Sequence, residues 1–341
     1  MHEQIREILA GEEAWVVGGA VRDELLGRPV VDLDVACREP ERAARALAAR
    51  AGGAPFPLSE RHGAWRVALG DSRTVDFTPL PGGIDDDLAT RDFTINAIAR
   101  PLEGGEERDP HGGRADLETR VIRAVTPAVF DDDPLRLLRA VRLEDELAFR
   151  IDADTDRLLR ARSSEVLRPA GERVLAELLR LSAAGWRRLD ELGLLGPLGG
   201  SAERLLRMSA VDSAEYRLVC ALGEAVLRLP VSRELARYTR MLLRTRVPED
   251  AGARAIHRFR RETEPWSLDA LGYLGALEHA GAVEQARLRE PGEPLLRGDE
   301  LGVPPGPRVG ELLELIAEER AAGTISTREE ARELVREHLD R

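Results

Sequence analysis

Trp15-Val16-Val17-Gly18-Gly19-Ala20-Val21-Arg22-Asp23-Glu24-Leu25-Leu26-Gly27-Arg28-Pro29-Val30-Val31-Asp32-Leu33-Asp34-Val35-Ala36 reads as a short buried strand, a two-glycine turn, one amphipathic helical segment and a second strand. Side chains alternate along a strand, so Asp32 and Asp34 share a face. Side by side on an otherwise apolar run, the two carboxylates repel unless a cation lies between them. Hard oxygen ligands favour Mg²⁺ over softer metals. Gly18 and Gly19 leave backbone N–H groups bare at the head of the following helix, where a phosphate is readily held. Taken singly, a Gly-Gly pair is a turn and an Asp-x-Asp pair is a solvated edge or a calcium contact. In this order and spacing they point to phosphoryl or nucleotidyl transfer, with Asp32 and Asp34 as metal ligands and Gly18 and Gly19 at the phosphates.

The chain has 341 residues, enough for two or more domains with their own cores. All 50 basic residues are arginine, the better bidentate binder of phosphate. A net charge of −12 excludes a generally sticky nucleic-acid coat, so an RNA ligand needs a local basic stripe on an acidic body. Aromatic residues make up 4% of the chain, which favours recognition by arginine over extended base stacking. Cys37 and Cys220 have neither metal-ligand spacing nor a disulfide framework. No basic leader with an apolar core opens the chain, and no run approaches a membrane span. The expectation is a cytoplasmic protein without membrane contact.

Residues 1–12 read as a helix and Pro40 to Gly52 as another, rich in Ala and Arg. A strand pair follows around residues 65–69 and 74–77, with Gly70-Asp71-Ser72 as its hairpin signal. From about Pro127 the pattern turns helical almost without relief. The expected organisation is an α/β head over residues 1–123, a helical neck over 124–190, and an all-α body and tail over 191–341. No fixed-period repeat is present, and His257 and His279 read as structural histidines rather than a His-Asp metal site.

Asp76, on its own strand, stands where a third acid completes a two-metal site, although a solvent-facing strand-end aspartate is an equal reading. Arg91 and Asn96, set among apolar residues in Arg91-Asp92-Phe93-Thr94-Ile95-Asn96-Ala97, suit ribose and triphosphate, because a buried guanidinium or amide must be paired. The alternative is a capped helix start. In Asp131-Asp132-Asp133-Pro134-Leu135-Arg136 the acids and the proline fit a helix N-terminus. Asp133 and Arg136 are three apart, hence neighbours on one helix face. A carboxylate acceptor beside a guanidinium donor complements the edge that cytosine and adenine share and that uracil and guanine invert. One such pair accepts CTP and ATP and rejects UTP and GTP without a nucleic-acid template.

Gly18-Gly19-Ala20-Val21-Arg22-Asp23, Leu25-Leu26-Gly27-Arg28, Asp32-x-Asp34 and Arg91-Asp92-Phe93-Thr94-x-Asn96-Ala97 together resemble the class II tRNA nucleotidyltransferase (CCA-adding) and bacterial poly(A) polymerase superfamily. The resemblance covers about residues 12–182 strongly and returns in the tail at Gly298-Asp299-Glu300-Leu301 and Pro304-Pro305-Gly306-Pro307. It implies an α/β nucleotidyltransferase head followed by an all-α neck, body and tail. Asp32, Asp34 and Asp76 then hold Mg²⁺ and act catalytically, and Gly18, Gly19 and Arg22 support the triphosphate. Arg91, Asp92 and Asn96, with Arg139 and Arg142 of the neck pattern, are implied at the nucleotide.

The family's templating motif is Glu-Asp-x-x-Arg; Asp132 replaces the Glu here, while the base-reading Asp133 and Arg136 remain. Glu172-Arg173-x-x-x-Glu177 matches a further helix motif, where an i to i+4 face can brace the neck or form a plain surface ion pair. The implied partners are tRNA, CTP and ATP. Arginine-rich faces at Arg237/Arg240, Arg244/Arg246 and Arg258/Arg260/Arg261 are candidates for tRNA phosphates. Only fourteen residues separate Asp76 from Arg91, where relatives that build a complete CCA end have a longer loop; the short connection tilts the reading to CC addition. The rival readings are a poly(A) polymerase and a catalytically inactive RNA-binding helical protein.

Overall fold

The computed structural model describes residues 2–59, 63–70, 73–80, 82–289 and 293–340. Two compact units result, residues 1–198 and 199–341. The first opens with α1 (His2–Ile8), β1 (Ala14–Val17), α2 (Gly19–Leu25), β2 (Asp32–Cys37) and α3 (Pro40–Ala51). It continues with β3 (Gly53–Ser59), β4 (Ala64–Leu69), β5 (Thr74–Pro79), α4 (Ile84–Ala89), β6 (Ala99–Pro101), α5 (Gly113–Thr119) and β7 (Val121–Ile122). The six strands β1–β6 form one mixed sheet in the order β3-β4-β5-β2-β1-β6, in which only β2 and β5 run parallel.

The two faces of this sheet divide the labour. Leu33, Val35, Val67, Val75 and Phe77 are fully buried, and α3 covers β3, β4 and β5 while α1 packs on α3. On the other face Val17, Ala36 and Ala99 pack with Leu80, Ile84 and Leu88, so α4 closes one end of it. The remaining end of that face carries Asp32 and Asp34.

The segments read in the sequence as strand, glycine turn, helix and strand form as expected, as does the β4–β5 hairpin. Its tip residues Asp71 and Ser72 lie outside the described residues. β3 is an addition: Pro55 and Pro57 argue against a strand, but an outer strand tolerates missing N–H groups on the side that no neighbour faces.

The neck consists of α6 (Val129–Asp132), α7 (Arg136–Leu147), β8 (Arg150–Ile151), α8 (Ala153–Ala161), α9 (Gly171–Leu178) and α10 (Ala183–Glu191). β7 pairs in parallel with β8, and Phe93 bridges Ala124, so the segment before residue 123 and the segment after it share backbone pairing within one unit. Asp152 and Ser182 cap α8 and α10 through their side chains.

The second unit is helical: α11 (Ala202–Leu205), α12 (Ala214–Leu222), α13 (Arg233–Arg244), α14 (Ala253–Thr263), α15 (Ser267–Leu274), α16 (Ala280–Leu288), α17 (Pro307–Ala322) and α18 (Arg328–Leu339). Pro307 opens α17 and Gly323 closes it in the left-handed conformation. Leu312 and Ile316 of α17 share a core with Ala331 and Val335 of α18. Among the described residues no helix is long and apolar enough to cross a membrane.

Candidate active site

Strand register assembles the acids. Asp34 of β2 stands opposite Asp76 of β5, and Asp32 opposite Thr74; paired residues share a face, so all three carboxylates lie on the one side of the sheet. Asp34 has the most confined setting. A Cβ added at Gly18 would sit 3.1 Å from Asp34 Oδ2 and 3.1 Å from a terminal guanidinium nitrogen of Arg91, and Gly18 has φ +70°. The turn thus needs glycine twice, for its backbone angle and for the space its absent side chain leaves.

Burial raises the Asp34 carboxyl to about 6; Arg91 opposes this, Asp76 and Asp32 add to it, and Arg139 lowers it again. Such a carboxylate, short of solvent and crowded by like charges, has the chemistry of a cation ligand. Asp32 is exposed and accepts a hydrogen bond from the Thr74 hydroxyl at 2.7 Å. Asp76 stands beside Asp34 but is committed elsewhere: both its oxygens accept from Arg66, each at 2.7 Å. Among the described residues no three such side chains make a ready cation cage. Asp32 and Asp34 alone nonetheless suit magnesium, which usually takes one or two carboxylates and completes its shell with substrate phosphates and water.

Arg91 gives Nε and Nη2 to Asp87 of α4, at 3.0 and 2.8 Å, and keeps Nη1 over Gly18. Its neighbours in the motif turn inward. Asp92 accepts from Phe93 N at 2.8 Å, Asn96 Nδ2 at 2.9 Å and Arg139 Nε at 2.9 Å, and these partners hold its carboxyl down at about 2 against the effect of burial. Asn96 in turn accepts from Arg22 Nη1 at 2.8 Å, and Arg22 also grips Asp23 at 2.9 Å. Arg139 approaches Glu177 at 3.6 Å, and Arg142 donates to Glu177 and Glu146, each at 2.6 Å.

The structure brings together Arg22, Asp92, Asn96, Arg139 and Arg142, which the sequence reading put at the nucleotide. Each is engaged in one buried network that fastens the glycine turn to the 92–96 turn, α7 and α9. Glu177, left open in sequence as brace or surface pair, is a brace.

The structure corrects the placement of Asp133 and Arg136 on one helix face, because they do not share a helix. Asp133 sits between α6 and α7 with extended angles, φ −146° and ψ 97°, because Pro134 disfavours the helical conformation in the residue before it. Its Oδ1 accepts from Leu135 N at 3.2 Å, and Arg173 of α9 donates to Oδ2 at 2.6 Å. Arg136, the first residue of α7, reaches back to the carbonyls of Val129 at 3.1 Å and Thr90 at 2.8 Å. Thr90 precedes Arg91, so Arg136 is tied to the segment that covers Gly18.

Sequence reasoning missed Arg66, Asp87 and Thr74. A hairpin turning at 70–72 puts Arg66 near Asp76 by register, which was the available signal for the first of these. An open depression of about 430 Å³, lined by Glu13, Trp15, Asp85 and Arg108 among others, contains none of the three carboxylates.

The family described as "Poly A polymerase head domain" matches residues 14–81 and 71–123. The A-adding tRNA nucleotidyltransferase of Deinococcus radiodurans is 34% identical over 94% of this chain and 94% of its own length. The CC-adding tRNA nucleotidyltransferase of Geobacter sulfurreducens is also 34% identical, over 94% of this chain and 91% of its own. Among solved structures, the Thermotoga maritima CCA-adding enzyme complexed with tRNA superposes with a TM-score of 0.75 at 25% identity, covering 99% of this chain and 94% of that one. A CCA-adding enzyme in complex with CTP shares the fold at a TM-score of 0.80 and 23% identity, over 100% and 94% of the two chains. With near-complete coverage by relatives of this identity, and with glycine turn, paired aspartates and neck motif all in place, the chain belongs to the tRNA nucleotidyltransferase family.

Proposed function

We propose that this protein extends the 3′ end of tRNA with cytidine, taking CTP and releasing pyrophosphate. The observation that carries the reading is Asp34 held against Gly18 and Arg91, with Asp32 beside it on the same strand. The 3′ hydroxyl attacks the α-phosphorus in line; the new O–P bond forms as the bond to the bridging oxygen of the departing pyrophosphate breaks, and the hydroxyl proton passes to solvent water. Asp32 and Asp34 would hold magnesium, which when bound polarises the phosphate and lowers the pKa of the attacking hydroxyl.

The residues of the chain supply position and charge. The N–H groups of the Gly18–Gly19 turn and the free nitrogen of Arg91 face the phosphates. Asp76 fixes Arg66 and keeps negative charge beside Asp34. Asp133, steadied by Arg173, and Arg136, steadied by two carbonyls, present an acceptor and donors to the base. Cytosine and adenine match such a pair.

The preference for CC rests on the connection between Asp76 and Arg91. Leu80, Ile84 and Leu88 are buried in the core, and Asp87 is paired with Arg91, so this short segment is pinned at several points. The Deinococcus relative, A-adding and matched over 94% of its length, favours a second reading in which a single adenosine is added to a tRNA that already ends in CC.

Product length on defined tRNAs decides between them. A tRNA lacking its 3′ CCA should gain two residues with CTP alone and none with ATP, UTP or GTP. One adenosine on a CC-ended tRNA would establish the second reading. A long adenosine tail would identify a poly(A) polymerase, and tRNA binding without turnover would identify an inactive RNA-binding protein. In the same assay Arg136→Ala should narrow the preference for CTP over UTP by roughly tenfold to a hundredfold, the 1–3 kcal/mol of a two-point base contact. Unaltered selectivity would remove Arg136 from base reading.

A further inference from the structure

Most arginines of this acidic chain are spent on carboxylates, and α14 shows how. Arg254 pairs with Glu319 at 2.7 Å, Arg258 approaches Glu249 at 3.2 Å and Glu318 at 3.8 Å, and Arg261 pairs with Glu314. Glu314, Glu318 and Glu319 belong to α17, so these cations join α14 to α17. The basic cluster 258–261, which in sequence matched the others as an RNA face, is thus largely neutralised within the protein.

α13 differs. Arg233, Arg237, Arg240 and Arg244 fall at i, i+4, i+7 and i+11, one face of a helix, and Arg246 follows just beyond its end. All five are exposed, and among the described residues none has a carboxylate partner. The opposite face buries Leu235, Tyr238, Thr239 and Leu242, which fixes the rotation of the helix and holds the arginines outward. Arg237 lies 4.7 Å from the ring centroid of Trp266, which itself packs edge-on to Tyr238 at 5.2 Å. Stacking on the indole orders the guanidinium while its edge keeps its donors. Uncompensated like charges at helical spacing destabilise a helix, and here they sit on a chain whose net charge is −12. A polyanion bound across the face relieves that repulsion.

We infer that α13 is the phosphate-gripping surface of this protein, with Arg233, Arg237, Arg240, Arg244 and Arg246 lying along the backbone of an RNA. The stripe from Arg233 to Arg244 is about 16 Å long, enough to meet several successive phosphates and independent of their sequence. The inference rests on the reading of the chain as a tRNA-extending enzyme, and it separates α13 from α14 as the site of contact.

The test is the affinity of the full-length protein for a tRNA lacking its CCA end, measured by fluorescence anisotropy across a KCl series. Combining Arg237→Gln, Arg240→Gln and Arg244→Gln should weaken binding and flatten the plot of log Kd against log salt by about 2 to 3, close to one per lost phosphate contact. The corresponding R237K/R240K/R244K protein should keep the wild-type slope, and thermal melting checks that both fold. An unchanged slope in the glutamine protein overturns the inference, as does a loss confined to anionic vesicles with tRNA affinity intact. Extension assays on the wild type report separately on the reaction. Binding with the predicted slope but without extension refutes the proposed reaction and supports the stripe, whereas extension with an unchanged slope in the glutamine protein refutes the stripe alone.

Discussion

Replacing Asp34 by alanine is expected to lower nucleotide incorporation by about a thousandfold or more, the equivalent of the several kcal/mol a metal site contributes to charge stabilisation in the transition state. Affinity for tRNA should stay near the wild-type value, because the variant removes an anion and leaves every arginine in place. Asp34 is the sharper choice over Asp32. It is the carboxylate against Gly18 and Arg91, and it is the one whose setting raises its pKa to about 6 through burial and its acidic neighbours. Asp32 is exposed and already has a hydroxyl partner. Single-turnover incorporation of radiolabelled CTP measures the effect. A rate within tenfold of wild type would show that the paired aspartates do not carry the chemistry.

Asp92→Asn should cost about 3–5 kcal/mol of stability, the scale for breaking a buried ion pair from one side. The change keeps the shape and removes the charge. With its one remaining oxygen accepting from Asn96, the new amide turns its NH2 toward Arg139, which loses its carboxylate acceptor and counter-charge. In a unit of this size that corresponds to a fall in Tm of roughly 10 °C. Acid titration supplies the second readout. The Asp92 carboxyl lies at about 2 when folded, below its ordinary value. Between these two values the unfolded chain binds more protons, so folded stability rises with pH there. The contribution of Asp92 is fully present above the ordinary carboxylate range and is lost as pH falls through the folded value. The variant should therefore lose less stability than wild type on acidification from about pH 5 to 2. Equal acid sensitivity in both proteins would mean that the network does not depend on this charge.

Much of the first unit was legible because local signals agreed. Apolar runs marked β1 and β2, glycines marked the turn between β1 and α2, and the break at 70–72 marked a hairpin. What escaped depends on context. Two prolines hid β3, since tolerance of proline depends on being outermost in a sheet, and strand order is not a local property. Asp133 was drawn onto a helix by its spacing from Arg136, although Pro134 already predicted an extended residue there; the steric rule outweighed the periodic one. For the charged groups, sequence named the residues and not their partners. Arg22 and Asn96 are 74 residues apart and Arg254 and Glu319 are 65 apart, and no pattern in the chain shows which guanidinium is already spoken for. That is also why the three arginine clusters looked alike in sequence, although the two along α13 lack carboxylate partners among the described residues and the one on α14 is neutralised.

The chain of bonded charges that begins at Arg22, under the glycine turn, and ends at Glu177 on α9 has a geometric consequence. α9 also carries Arg173, the anchor of Asp133, so the glycine turn and Asp133 hang from one frame, and under the proposed function the seat for the triphosphate and the clasp for the base would share it. On that proposal a nucleotide would be gauged like a part between calliper jaws, its two ends arriving at a preset separation before both are satisfied.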